Sequence, residues 1–65
     1  MKKVFQVTLH LKDGSKNIYH VVANDDIEAR SKSADTESKS YKQANEKYPG
    51  LEFAETALVC SLDAA

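Results

Sequence analysis

Sixty-five residues, 42% of them apolar, with one cysteine and no tryptophan, make one domain (1–65) of a size that buries only about 60% of its unfolded surface. Nine basic residues against ten acidic ones, a net charge of −1, give no electrostatic reason to expect nucleic acid or an anionic membrane as partner. A lone Cys60 cannot close an internal disulfide and no cysteine or histidine cluster has zinc spacing, so a small domain without these staples is expected to lean on a protein partner or on a second copy of itself.

The chain opens on Met1-Lys2-Lys3-Val4 and goes on in alternation instead of a continuous apolar stretch, so no signal peptide is expected. Its longest apolar run is four residues, far short of the ~20 needed to span a bilayer. The expected location is the cytoplasm.

From Val4 to Leu11 the residues alternate, with Phe5, Val7, Leu9 and Leu11 on one side and Gln6, Thr8 and His10 on the other. That period of two predicts a strand with one buried face. Lys12-Asp13-Gly14-Ser15 then supplies a hairpin turn, and a second strand follows from about Asn17 to Ala23. Two registers are open. A type I turn over Lys12, Asp13 and Gly14 with a glycine bulge sets Leu11 opposite Ser15 and puts Tyr19, Val21 and Ala23 on the core face. A two-residue Asp13-Gly14 turn slips the second strand by one residue and puts Ile18, His20 and Val22 there instead. The bulged turn is preferred because it spares the burial of His20.

Asn24-Asp25-Asp26 predicts a helix start, with Asp25 as N-cap and Glu28 completing a capping-box pattern. Asp26 with Arg30, Glu28 with Lys32 and Asp35 with Lys39 are acid-before-base pairs at four-residue spacing. The helix is expected to run from about Asp26 to Lys47 and to stop at Tyr48-Pro49-Gly50, because proline disfavours helix in the residue before it. Its recurring face reads Ile27, Ser31, Ala34, Ser38, Tyr41, Ala44 and Tyr48, a stripe with only serine and alanine in the middle where a core-facing helix normally carries large apolar groups. Some 22 residues would extend ~33 Å, against ~26 Å for an eight-residue strand. Three outcomes are open: a break near residues 33–36, an unusually close approach to the sheet, or a partner that covers part of the stripe.

Leu51 to Leu62 predicts a third strand with blurred alternation. Ala57-Leu58-Val59-Cys60 is apolar on both sides, as in a strand covered on both faces or one that contains a bulge. Residues 62–65 are expected to fray.

The order strand, hairpin, strand, helix, strand predicts an α+β fold: a β-β-α-β chain with a three-stranded antiparallel sheet in the order 2-1-3 and one long helix packed on one face. The other face has no second layer. It carries Val4, Gln6, Thr8, His10, Ile18, His20 and Val22, and Gln6, Thr8, His10, Ile18, His20 and Val22 are the candidate partner-contact residues.

No catalytic, cofactor-binding or metal-ligating constellation is evident. His10 and His20 have no carboxylate placed by the sequence to orient them and no third ligand. Cys60 lies in an apolar strand and reads as a small core residue. Tyr41 and Tyr48 read as core packing with wet hydroxyls. Arg30, Lys32, Lys39, Lys42 and Lys47 are interleaved with Glu28, Asp35, Glu37 and Glu46 and read as a solvated charged face. No small-molecule substrate is indicated and the protein is expected not to be an enzyme.

Tyr19-His20-Val21-Val22-Ala23-Asn24-Asp25-Asp26-Ile27-Glu28-Ala29, followed by Tyr48-Pro49-Gly50-Leu51-Glu52-Phe53, resembles small phage and prophage proteins of strand-strand-helix-strand build, among them the podophage inhibitors of bacterial RNA polymerase. The resemblance covers most of the chain through generic features. It implies a small protein-binding or inhibitory module of phage or prophage origin. Strand three offers Glu52, Glu55, Thr56 and Leu58 where a partner-gripping basic residue would be sought, so no binding residue is carried over. The alternative from another class is a nucleic-acid-binding module using the sheet face, with Tyr19 as a stacking platform in the slipped register.

Overall fold

A computed structural model describes residues 2–62. The expected fraying of the tail lies, beyond residue 62, outside the described residues. Strands β1 (Lys3–Leu11), β2 (Lys16–Ala23) and β3 (Leu51–Ser61) form one antiparallel sheet in the order β2-β1-β3, with helix α1 (Asp26–Gln43) between β2 and β3 in the chain. The helix touches all three strands.

The hairpin takes the bulged register. The Leu11 amide donates to the Ser15 carbonyl (2.8 Å) and the Gly14 amide to the Leu11 carbonyl (3.0 Å). Gly14 sits at φ +93°, a conformation open to glycine at little cost. Asp13 Oδ1 accepts from the Ser15 amide at 2.8 Å and also from the Ser15 hydroxyl, and these bonds hold the Asp13 carboxyl below its ordinary value. Val7 therefore faces Tyr19 and Phe5 faces Val21. The core is Phe5, Val7, Leu9, Leu11, Ala23 and Ala29, with Tyr19, Val21, Leu51 and Ala54 packed around it.

Asp25 caps the helix as its pattern predicts, accepting from the Glu28 amide at 2.7 Å. The reciprocal arm lands one residue earlier than a capping box places it, since Glu28 Oε2 accepts from the Asn24 amide at 3.1 Å. That bond, with Lys32 beside it, lowers the pKa of Glu28. The ion pairs Asp26–Arg30 (3.7 Å) and Glu28–Lys32 (3.0 Å) form, whereas Asp35 and Lys39 form none among the described residues.

The helix is continuous and ends four residues before Lys47. Its 18 residues extend ~27 Å, which matches the strands beneath it and removes the overhang. Asn45 ends it, at φ +60°: the Asn45 amide donates to the Lys42 carbonyl (3.2 Å) and the Glu46 amide to the Tyr41 carbonyl (2.9 Å), the paired bonds of a left-handed helix stop. No break occurs at 33–36. The hydroxyls of Ser33, Thr36 and Ser40 bond back to the carbonyls of Ala29, Lys32 and Thr36 at 2.9, 2.9 and 3.1 Å, so they stay within the helix instead of competing with it.

The face the helix buries differs from the predicted stripe. The buried line is Ala29, Ser33 and Glu37. Ile27 is 65% exposed, Ser31 and Ala44 are exposed, and Ala34, Ser38, Tyr41 and Tyr48 are half-buried. At ~100° per residue the predicted stripe lies about a third of a turn from the buried line. Ala29 and Ser33 are fully buried, so small residues do mark the line on which the helix meets the sheet, though not the ones the stripe named. Glu37, read as part of a solvated face, is 2% exposed. Among the described residues, no helix is long and apolar enough to cross a membrane.

β3 contains bulges. Val4 pairs with Cys60 but Phe5 with Leu58, leaving Val59 as an extra residue, and Glu52 is extra in the same way between the His10–Phe53 and Leu11–Leu51 pairs. These bulges account for the blurred alternation. Coverage on both faces does not occur, since Leu58, Val59, Cys60 and Leu62 are all exposed. Cys60 is thus no core residue. Lys32 Nζ donates to the Val22 carbonyl (2.9 Å) beside β2, while the end of β3, with Leu58, Val59 and Leu62 exposed, is left without a layer over it.

Candidate functional site

All six candidate contact residues lie on the sheet face away from the helix. The pairing sets Gln6 beside His20, Thr8 beside Ile18 and Val4 beside Val22, with Lys16 beside His10. Bulged register and face follow from one another: had the hairpin slipped, His20 would be buried and Tyr19 would lie outside. Instead Tyr19 sits on the helix side, so it offers no stacking platform on the open face. Gln6, Thr8 and His10 in the central strand are half-buried, while Ile18, His20 and Val22 on the edge strand are exposed.

β3 completes the face with residues that the sequence reading left off it. Phe53 pairs with His10, Glu55 with Thr8 and Ala57 with Gln6. The His10 and Phe53 rings stack with centroids 4.1 Å apart and planes at 12°. His10 Nε2 lies 3.6 Å from Glu55 Oε1, beyond direct hydrogen-bond reach, and is shielded from solvent. A carboxylate therefore does stand beside His10, supplied by a strand whose register the bulges hid. His20 pairs four residues further along β1 from His10, which separates the imidazoles by ~13 Å, and the two do not converge. A depression of about 150 Å³ is lined by Gln6, Thr8, Glu55, Thr56 and Ala57.

A second concavity, of about 350 Å³, lies on the helix side and is lined by Asn17, Tyr19, Glu37, Ser40, Tyr41, Ala44 and Glu46. Glu37 Oε1 accepts from Asn17 Nδ2 and Oε2 from the Tyr19 hydroxyl, which ties the helix to the start of β2. Burial and the bond to Glu37 push the Tyr19 hydroxyl up to about 12. Tyr41 and Tyr48 meet at 5.3 Å between ring centroids, and both hydroxyls are raised by burial first and the Glu37 charge second. Nothing in the sequence marks Glu37 for this role: its position in the buried line appears only once the helix face is known.

Among the described residues, no group of three His, Cys, Asp or Glu side chains is placed to hold a metal ion. Comparison with protein-family models, curated proteins and solved structures found no match.

Proposed function

We propose that this chain is a small, non-enzymatic protein-binding or inhibitory module that works in the cytoplasm through its open sheet face, with a protein partner or a second copy as occupant. The observation that carries this reading is the uncovered face itself. Ile18, Val22 and Phe53 leave 55%, 42% and 47% of their surface in water, around a polar centre of Gln6, Thr8 and His10. An apolar patch with polar groups set among it is the usual mark of an interaction surface. The stacked His10–Phe53 pair adds a rigid aromatic anchor of the kind that dominates binding energy. Support from the sequence comes from the resemblance to small phage and prophage proteins, which makes a bacterial protein the first target to try.

The test is capture from a bacterial lysate on immobilised protein, compared with an Ile18→Asp/Phe53→Asp variant, alongside light scattering of both. The substituted positions are outside the core, and a native-like circular dichroism spectrum checks that the variant folds. The expected result is a protein, or a dimeric mass, seen with the native face and lost with the variant. A monomeric native chain whose captured proteins are the same for both would overturn the reading.

A further inference from the structure

Glu37 is 2% exposed, yet both of its hydrogen-bond donors, Asn17 and Tyr19, are neutral, and it forms no ion pair among the described residues. A buried carboxylate without a counter-charge is costly. Asn17 and Tyr19 take one acceptor position on each carboxylate oxygen and bring no charge, so the negative charge stays uncompensated at the wall of the concavity that Glu37 lines.

The surroundings specify what that donor is. The roughly 350 Å³ concavity that Glu37 lines contains a second carboxylate, Glu46, the hydroxyl of Ser40 and the phenol rings of Tyr19 and Tyr41, and no Lys, Arg or His. Anions are repelled from such a site, and a cation gains both charge and π faces. The raised Tyr41 hydroxyl, which responds to its burial and then to Glu37, Asp13 and Glu46, reports the same negative field. The volume lies near the lower end of the ~300–1,000 Å³ range of small-ligand sites, which suits one side chain. A guanidinium is planar, weakly hydrated and able to stack on tyrosine while it donates to a carboxylate.

We propose that this concavity is a binding site for an alkylguanidinium, the head group of an arginine side chain, with Glu37 as the buried counter-charge and Tyr41 and Glu46 at the rim. The site lies on the face opposite the open sheet surface and does not depend on the reading of that surface.

The test is a titration of the isotopically labelled protein with ethylguanidinium chloride at low salt, followed by amide chemical shifts, with neutral N-ethylurea as the isosteric control. Saturable shifts are expected at residues 17, 19, 37, 40, 41 and 44 with ethylguanidinium and not with N-ethylurea. Glu37→Gln keeps both local bonds, since its carbonyl accepts from Asn17 and its amide donates to the Tyr19 oxygen, and it removes the charge; it should weaken binding at least about tenfold. Should that variant unfold, the rim variants Tyr41→Leu and Glu46→Gln decide, each expected to weaken binding about two- to fivefold. A capped Ala-Arg-Ala peptide that binds more tightly than ethylguanidinium identifies a protein side chain as the source; equal or weaker binding identifies a free small guanidine. The absence of saturable shifts, equal shifts with N-ethylurea, or rim variants with unchanged affinity would each overturn the proposal.

Discussion

Ser33 gives the most direct test of how the helix meets the sheet. It is fully buried, in the middle of a helix that spends serine and alanine on its contact line. If the small side chains reflect a close approach, Ser33→Leu has no room, and overpacking of this kind costs about 1–3 kcal/mol. If the helix rides loosely, the added leucine fills a gap and contributes the roughly 1.5–3 kcal/mol of a buried aliphatic side chain. The two pictures differ in sign. Ser33→Ala is the companion: it removes a hydroxyl whose acceptor, the Ala29 carbonyl, sits within the helix, and it gains up to about 0.5 kcal/mol of helix propensity. A domain of this size loses about 4–8 °C of Tm per kcal/mol, so Ser33→Leu should lower the Tm by roughly 4–24 °C while Ser33→Ala leaves it level or slightly raised. Thermal and urea unfolding followed by circular dichroism measure both. A leucine variant more stable than the native chain would refute the close approach.

Three further outcomes are expected. Leu9→Ala, at a fully buried core position, should cost about 2–5 kcal/mol against a total near 3–10 kcal/mol, so that its urea transition moves close to zero denaturant; a midpoint near the native one would mean that β1 is not the centre of the core. Gly14→Ala meets nothing within 4 Å of its new methyl group, so only the backbone penalty of φ +93° remains, about 1–2 kcal/mol; an unchanged Tm would argue against the bulged turn. The Tyr19 hydroxyl, raised from about 10 to about 12 in the folded chain, keeps a proton that the unfolded chain releases. Its stabilising contribution is therefore complete below pH 10 and is lost as pH rises through 12. Tyr19→Phe should flatten the alkaline fall in stability measured by urea unfolding, though only in part, because Tyr41 and Tyr48 are raised as well; equal slopes would show that burial and the bond to Glu37 do not hold the Tyr19 proton.

Which parts of this architecture could be read from residues alone follows from how local their causes are. The β1 alternation, the Asp25 cap and the choice of turn rest on neighbours within a few positions. The argument that kept His20 out of the core correctly selected the register that places Ile18, His20 and Val22 on the open face. The helix end differs from the expected one for an equally local reason: proline at residue 49 predicts a stop at 48, while Asn45, at a positive φ, stops the helix earlier and satisfies its last carbonyls on the way.

The contact face of the helix and the register of β3 are another matter, because both are set by long-range packing. An apolar-stripe reading gives weight to Ile27 and Tyr41 for their size, and the fold gives weight to Ala29 and Ser33 for their smallness. A helix that sits close on a sheet inverts the usual rule, since its contact line is marked by what is missing. One turn beyond Ser33 the same line reaches Glu37, which is long enough to extend past the small residues to Asn17 and Tyr19. The small contact line and the buried carboxylate are thus a single arrangement: Ala29 and Ser33 are covered against the sheet, and at the end of the line a charge is carried under cover, beside a concavity whose lining includes no cation to meet it.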